Sequence, residues 1–126
     1  MEKYTCEIIN CTKGIEALTK KEIVRFKHLD NTNSIDANTN NGVTCTIDVD
    51  YAVILAIHNP RGKDNIDYKK MVIVDTNGVM WTTGSDGFMD TFLDIVADME
   101  GEPFAIEALK KPCKNRSGEY LTCSLA

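Results

Sequence analysis

Hydrophobic and polar residues alternate along several separate stretches of this chain and recur at helical spacing along one other. Residues 3–11, "KYTCEIINC", alternate and carry β-branched side chains, which predicts a first strand. Residues 42–59, "GVTCTIDVDYAVILAIHN", form the longest apolar stretch and predict a long strand, bent near Asp48 to Tyr51. In "YKKMVIVDTNGVMWTTG" two apolar runs flank Asn77-Gly78, a two-residue hairpin signal. That turn would pair Thr76 with Val79, Asp75 with Met80 and Val74 with Trp81. Trp81, the only tryptophan, then shares a face with Val72, Val74 and Val79 at the rim of the core.

The period changes in "SDGFMDTFLDIVADMEG", where Phe88, Phe92, Ile95, Val96 and Met99 stand three and four apart. This predicts an amphipathic helix, capped by Ser85 or Thr83 and stopped at Gly101. A closing hairpin follows: "PFAIEALKK" and "EYLTCSLA" alternate on either side of "PCKNRSG". In the second arm Leu121, Cys123 and Leu125 share one face, leaving Tyr120, Thr122 and Ser124 on the other. Earlier, Thr19 and Glu22 have the form of a helix capping box. No long apolar stripe follows them, so a short turn over residues 19–23 and an extended piece over 24–27 are expected. The Asn-, Asp- and Thr-rich segment 30–42 reads as a surface loop.

Strand, long strand, hairpin, helix, hairpin is the order of a mainly β domain with one amphipathic helix before its C-terminal hairpin. It fits a five- to six-stranded, partly open Greek-key barrel, the OB fold. An α+β open antiparallel sheet with the helix on one face is the alternative. With 126 residues, 43% hydrophobic and 26% charged, residues 1–126 suffice for one domain and one core.

The net charge is −5, so whole-surface attraction to nucleic acid or to acidic membranes is not expected. A local basic groove is compatible with that total, because charges more than about 10 Å apart are screened at ordinary salt. The distribution is more informative. Residues 109–118 hold Lys110, Lys111, Lys114 and Arg116 and no acid, while residues 59–70 hold Arg61, Lys63, Lys69 and Lys70 against two aspartates. Asp86, Asp90, Asp94 and Asp98 instead form a like-charge column at i,i+4 spacing on the helix. Tyr120 follows one basic loop and Tyr68 adjoins the other. Cations beside exposed rings suit single-stranded nucleic acid: the bases stack on the rings while the phosphates track the cations. The expected interface is therefore Arg61, Lys63, Tyr68, Lys69, Lys70, Lys110, Lys111, Lys114, Arg116 and Tyr120. A rival reading makes the aspartate column a docking surface for a basic protein partner, as in a counter-defence inhibitor without DNA affinity.

Enzyme chemistry finds no signature here. GxSxG, P-loop, HExxH and GxGxxG patterns are absent, and only His28 and His58 are available as bases for a cysteine nucleophile. The five cysteines lack paired metal-ligand spacing, so reduced thiols without metal or cofactor are expected. The opening "MEKYTCEIIN" has no basic region leading into an apolar run, and no apolar segment reaches the roughly 20 residues of a membrane helix. A cytoplasmic protein, the host's cytoplasm if viral, is expected.

Residues 72–99, "VIVDTNGVMWTTGSDGFMDTFLDIVADM", followed by "FAIEALKKPCKNRSGEYLTCSL", resemble the small single-stranded DNA-binding proteins of tailed bacteriophages. The early segment "LTKKEIVRFKHLDNTNSIDAN" is similar as well. The resemblance implies coating of single strands in phage genome replication, with no catalysis and no metal. It implies binding through basic and aromatic residues, matched here at Tyr68, Lys69, Lys70, Lys110, Lys111, Lys114, Arg116 and Tyr120. One departure stands out: the chain ends in "YLTCSLA", a strand pattern, where bacterial proteins of like function carry a flexible acidic tail.

Overall fold

β3 (Cys45–His58) is the spine of the sheet, and a single irregularity in it organises the molecule. Cys45, Ile47 and Val49 alternate inward toward one core. The register against β4 (Asp67–Asp75) then shifts between Val49 and Tyr51, leaving Asp50 as a bulge. An extra residue inverts the alternation. Tyr51, Val53, Leu55 and Ile57 therefore face the opposite core, while Ala52 and Ile54 keep the first. The bend expected near residues 48–51 is this bulge.

The computed structural model describes residues 3–61 and 66–126. One edge of β3 pairs with β4 along its length. The other edge is shared: β6 (Phe104–Pro112) pairs with Cys45 to Val49, and β1 (Thr5–Cys11) pairs with Val53 to His58. β5 (Met80–Thr83) extends the sheet beyond β4, and β7 (Glu119–Leu125) extends it beyond β6. A two-residue strand, β2 (Asn33–Ser34), lies parallel to β5 at the edge. The meander β3-β4-β5, a helix, and a hairpin whose first strand returns to β3 follow the OB strand order. The result is a mainly β, OB-like half-barrel of six strands plus the short β2. β7 does not close the barrel against β5, whose outer edge is taken by β2.

The helix of the predicted 3.6-residue period is α2 (Asp86–Met99). Ser85 caps it, its Oγ accepting from the Phe88 amide at 3.3 Å, and Glu100 and Gly101 end it in the left-handed region. Phe88, Met89 and Phe92 are buried against Ile47, Ile73 and Ile106 on one side of the sheet.

A second helix, α1 (Lys20–Lys27), replaces the extended piece expected over residues 24–27. The capping box is present: Thr19 Oγ1 accepts from the Glu22 amide and Glu22 Oε1 from the Thr19 amide. Eight residues do not hold a helix in water by themselves, so packing sustains it. Phe26, 2% exposed, meets the Tyr51 ring edge-on at 6.1 Å. With Leu18 it covers Val53, Leu55, Val72 and Val74 on the side of the sheet opposite α2.

The β4–β5 turn also departs from expectation. Asp75 N–H donates to Val79 O at 2.9 Å, so three residues, Thr76 to Gly78, make the turn, with Gly78 at φ 81°. Trp81 therefore opposes Ile73, and Met80 opposes Val74. The slip moves Trp81 to the α2 side of the sheet. It stays at the rim of a core, because that face is buried as well.

Candidate nucleic-acid interface

The exposed Arg61 and the basic segment 113–118 lie toward opposite ends of β3. Segment 59–66 follows His58, and segment 113–118 tips the β6–β7 hairpin, which runs past Cys45. Thirteen residue steps separate the pairs Cys45–Ala108 and His58–Asp67. At about 3.3 Å per step that is at most ~43 Å, shortened by the bulge. Arg61 is exposed at the start of the first loop, while Lys63 lies outside the described residues. In the second loop Lys114 and Arg116 are exposed, and Lys111 stands opposite Tyr120 in the register. Tyr120 is 44% exposed, on the outward face expected for it.

Lys110 departs from its expected role. It shares the inward face with Ala108 and Leu121, and its Nζ donates to Asp36 O at 2.9 Å and Asn40 Oδ1 at 2.5 Å. It ties segment 36–42 to β6 and is not a free groove cation.

The expected cluster Tyr68-Lys69-Lys70 is divided by the pleat of β4. Tyr68 and Lys70 oppose Ile57 and Leu55, which face α1. Lys69 points to the other side, where with Gly84, Asp86 and Asp90 it lines a shallow depression that also takes in Asp67 and Tyr68. At the same strand end His58 Nδ1 lies 2.6 Å from Asp67 Oδ1. The acidic column Asp86, Asp90, Asp94 and Asp98 is exposed along α2. The basic and acidic candidates thus lie largely on opposite sides of one sheet.

In an OB fold the face of the second and third strands receives the ligand between the two loops. Here those strands are β4 and β5, and α1 covers their outer face. The cover is fastened by a polar clamp. Glu22 accepts from the Tyr51 hydroxyl and pairs with Lys13 at 3.1 Å, and Lys13 Nζ lies 3.9 Å over the Tyr51 ring. The Thr19 amide first, then the Tyr51 hydroxyl and Lys13, hold the Glu22 carboxyl down at about 2. Burial, then the neighbouring Glu22 carboxylate, pushes the Tyr51 hydroxyl above the usual phenol range.

The exposed side of α1 carries Lys20, Lys21, Arg25 and Lys27, which were absent from the expected interface. The signal was present in the sequence as four cations within "KKEIVRFK". It went unread because their clustering on one surface depends on helix formation.

Among the described residues no three His, Cys, Asp or Glu side chains converge as metal ligands, and no helix is long and apolar enough to cross a membrane. The five cysteines are free thiols, with Cys11, Cys45 and Cys123 buried. Comparison with known protein families, curated proteins and solved structures finds no match to this chain.

Proposed function

We propose that the protein binds single-stranded DNA without sequence preference, as a coating protein in phage genome replication. The observation that carries this reading is topological. In the OB strand order the ligand groove is bounded by the loop after the first barrel strand and the loop of the last hairpin. The chain leaving β3 after His58, with the exposed Arg61, and segment 113–118, with Lys114 and Arg116, take those two positions. Lys111, Lys114 and Arg116 supply cations for phosphates, and the exposed Tyr120 ring beside Lys111 supplies a stacking surface. The surface between them follows the fourteen residues of β3, long enough for a strand of several nucleotides, within the 4–16 typical of one OB domain. The aspartates of α2 repel a phosphate backbone and keep it off that side.

The test is titration of labelled oligo-dT at low salt. Micromolar or tighter binding is expected, with log K falling linearly in log salt as counterions are released. Replacing Lys111, Lys114 and Arg116 by alanine weakens binding to every sequence alike. Absence of binding at micromolar protein overturns the reading.

A further inference from the structure

We infer that the bound single strand crosses the outer surface of α1 and the adjoining ends of β1 and β4, not the sheet face beneath. This inference rests on the single-strand-binding reading and adds to its loop residues the surface that the strand crosses between them.

The face of β4 and β5 that an OB domain ordinarily offers is buried here under Leu18 and Phe26, so no base can stack on it. The covering layer has the required chemistry instead. Lys20, Lys21, Arg25 and Lys27 are all exposed on an eight-residue helix, about 12 Å long. Among the described residues none of the four is in an ion pair; the nearby Glu22 is already engaged with Lys13 and Tyr51. Val24, 58% exposed, floors a shallow depression rimmed by Lys20, Lys21 and Arg25.

Two rings and a further cation adjoin the C-terminal end of α1. Cys6, Ile57 and Tyr68 form one cross-strand row, and Ile8, Leu55 and Lys70 another, both on the α1 side. Cys6 Sγ lies 3.9 Å from Phe26 O, which brings that row against the helix. Tyr4 lies two residues before Cys6, immediately ahead of β1. Tyr4 is 52% and Tyr68 39% exposed. Burial raises the Cys6 thiol, and the Lys27 and Lys70 charges act against that rise. Cations outside any ion pair, leading to two exposed rings, make a path for phosphates and stacked bases.

An anionic lipid surface fits less well. A membrane-bound amphipathic helix inserts its apolar face, and the apolar face of α1 is already spent on the sheet.

The experiment compares the full chain with its K20A/K21A/R25A/K27A variant, by oligo-dT titration across a salt series. Four lost phosphate contacts reduce the salt slope by about 3 and, with slopes converging near 1 M, weaken binding on the order of 10²- to 10³-fold at about 0.1 M. A circular-dichroism melt checks that the variant is folded. In parallel, oligonucleotides carrying 5-bromodeoxyuridine are photo-crosslinked to the unmodified protein, with adducts expected at Tyr4 or Tyr68. If the unmodified protein does not bind oligo-dT, the functional reading falls and this inference with it. If it binds and the variant binds with the same slope, or crosslinks appear only near Tyr120, the α1 path alone is overturned. Should the variant not fold, the crosslinks decide. Binding to phosphatidylserine vesicles without binding to oligo-dT, lost in the variant, also overturns it in favour of a membrane partner.

Discussion

The Tyr51 hydroxyl on β3 donates to the Glu22 carboxylate on α1, and Lys13 closes over both, pairing with the carboxylate and lying above the ring. A short helix is joined in this way to the strand segment just past the bulge. Removing the hydroxyl in Tyr51→Phe leaves the ring packing on Phe26 but strips Glu22 of a donor. A loss of about 1–2 kcal/mol is expected, reduced from the value for a buried charge because Glu22 is partly solvated. Urea unfolding measures it; an unchanged midpoint would show that α1 is held by its apolar contacts alone.

The same carboxylate makes stability depend on acid. Its pKa is held at about 2 in the folded protein against an ordinary 4.5, so its contribution is full above pH ~4.5 and is lost as pH falls toward 2. Urea midpoints are expected to drop over that window. In Glu22→Gln the drop is shallower, because the group no longer titrates. Equal slopes for the two proteins would remove Glu22 from the acid response.

Asp75 organises the three-residue turn that replaced the expected two-residue one. Its Oδ1 accepts from the Asn77 and Val79 amides at 2.9 Å, and its Oδ2 accepts from Trp81 Nε1 at 3.1 Å. Burial alone would raise its pKa, but the indole and amide donors outweigh it and the net shift is downward. Asp75→Ala is expected to cost about 2 kcal/mol. Trp81 emission reports it directly, through an earlier unfolding transition.

Lys110 and Lys111 are neighbours with opposite expected behaviour. Lys110 ties β6 to Asp36 and Asn40, whereas Lys111 faces outward beside Tyr120. Lys110→Met is expected to lower stability by about 1–3 kcal/mol and leave oligo-dT affinity unchanged. Lys111→Met is expected to do the reverse. Thermal melts and the salt titration together separate the two.

Local pattern was sufficient for β1, for the long bent β3, for α2 with its Ser85 cap and for the β6–β7 hairpin. In α2 and the β6–β7 hairpin the period of buried positions is set by the element's own geometry, 3.6 for the helix and two for the strands. β3, by contrast, was legible as the longest apolar run because both its faces are buried past the bulge. The charge segregation between loops and α2 was equally legible, since charge is a property of composition. Tertiary structure decided the rest. α1 exists because Phe26 and Leu18 have a sheet face to cover, and no eight-residue segment announces that by itself. The β4–β5 register depended on whether Asp75 or Thr76 closed the turn, a choice made by the side-chain bonds of Asp75. A strand sequence says that Lys69 and Lys70 point opposite ways but not which side meets the acidic helix, and Lys110 became a strut only because segment 36–42 folds back beside β6. Periodicity records that a face is buried; what buries it is settled by contacts far apart in the chain.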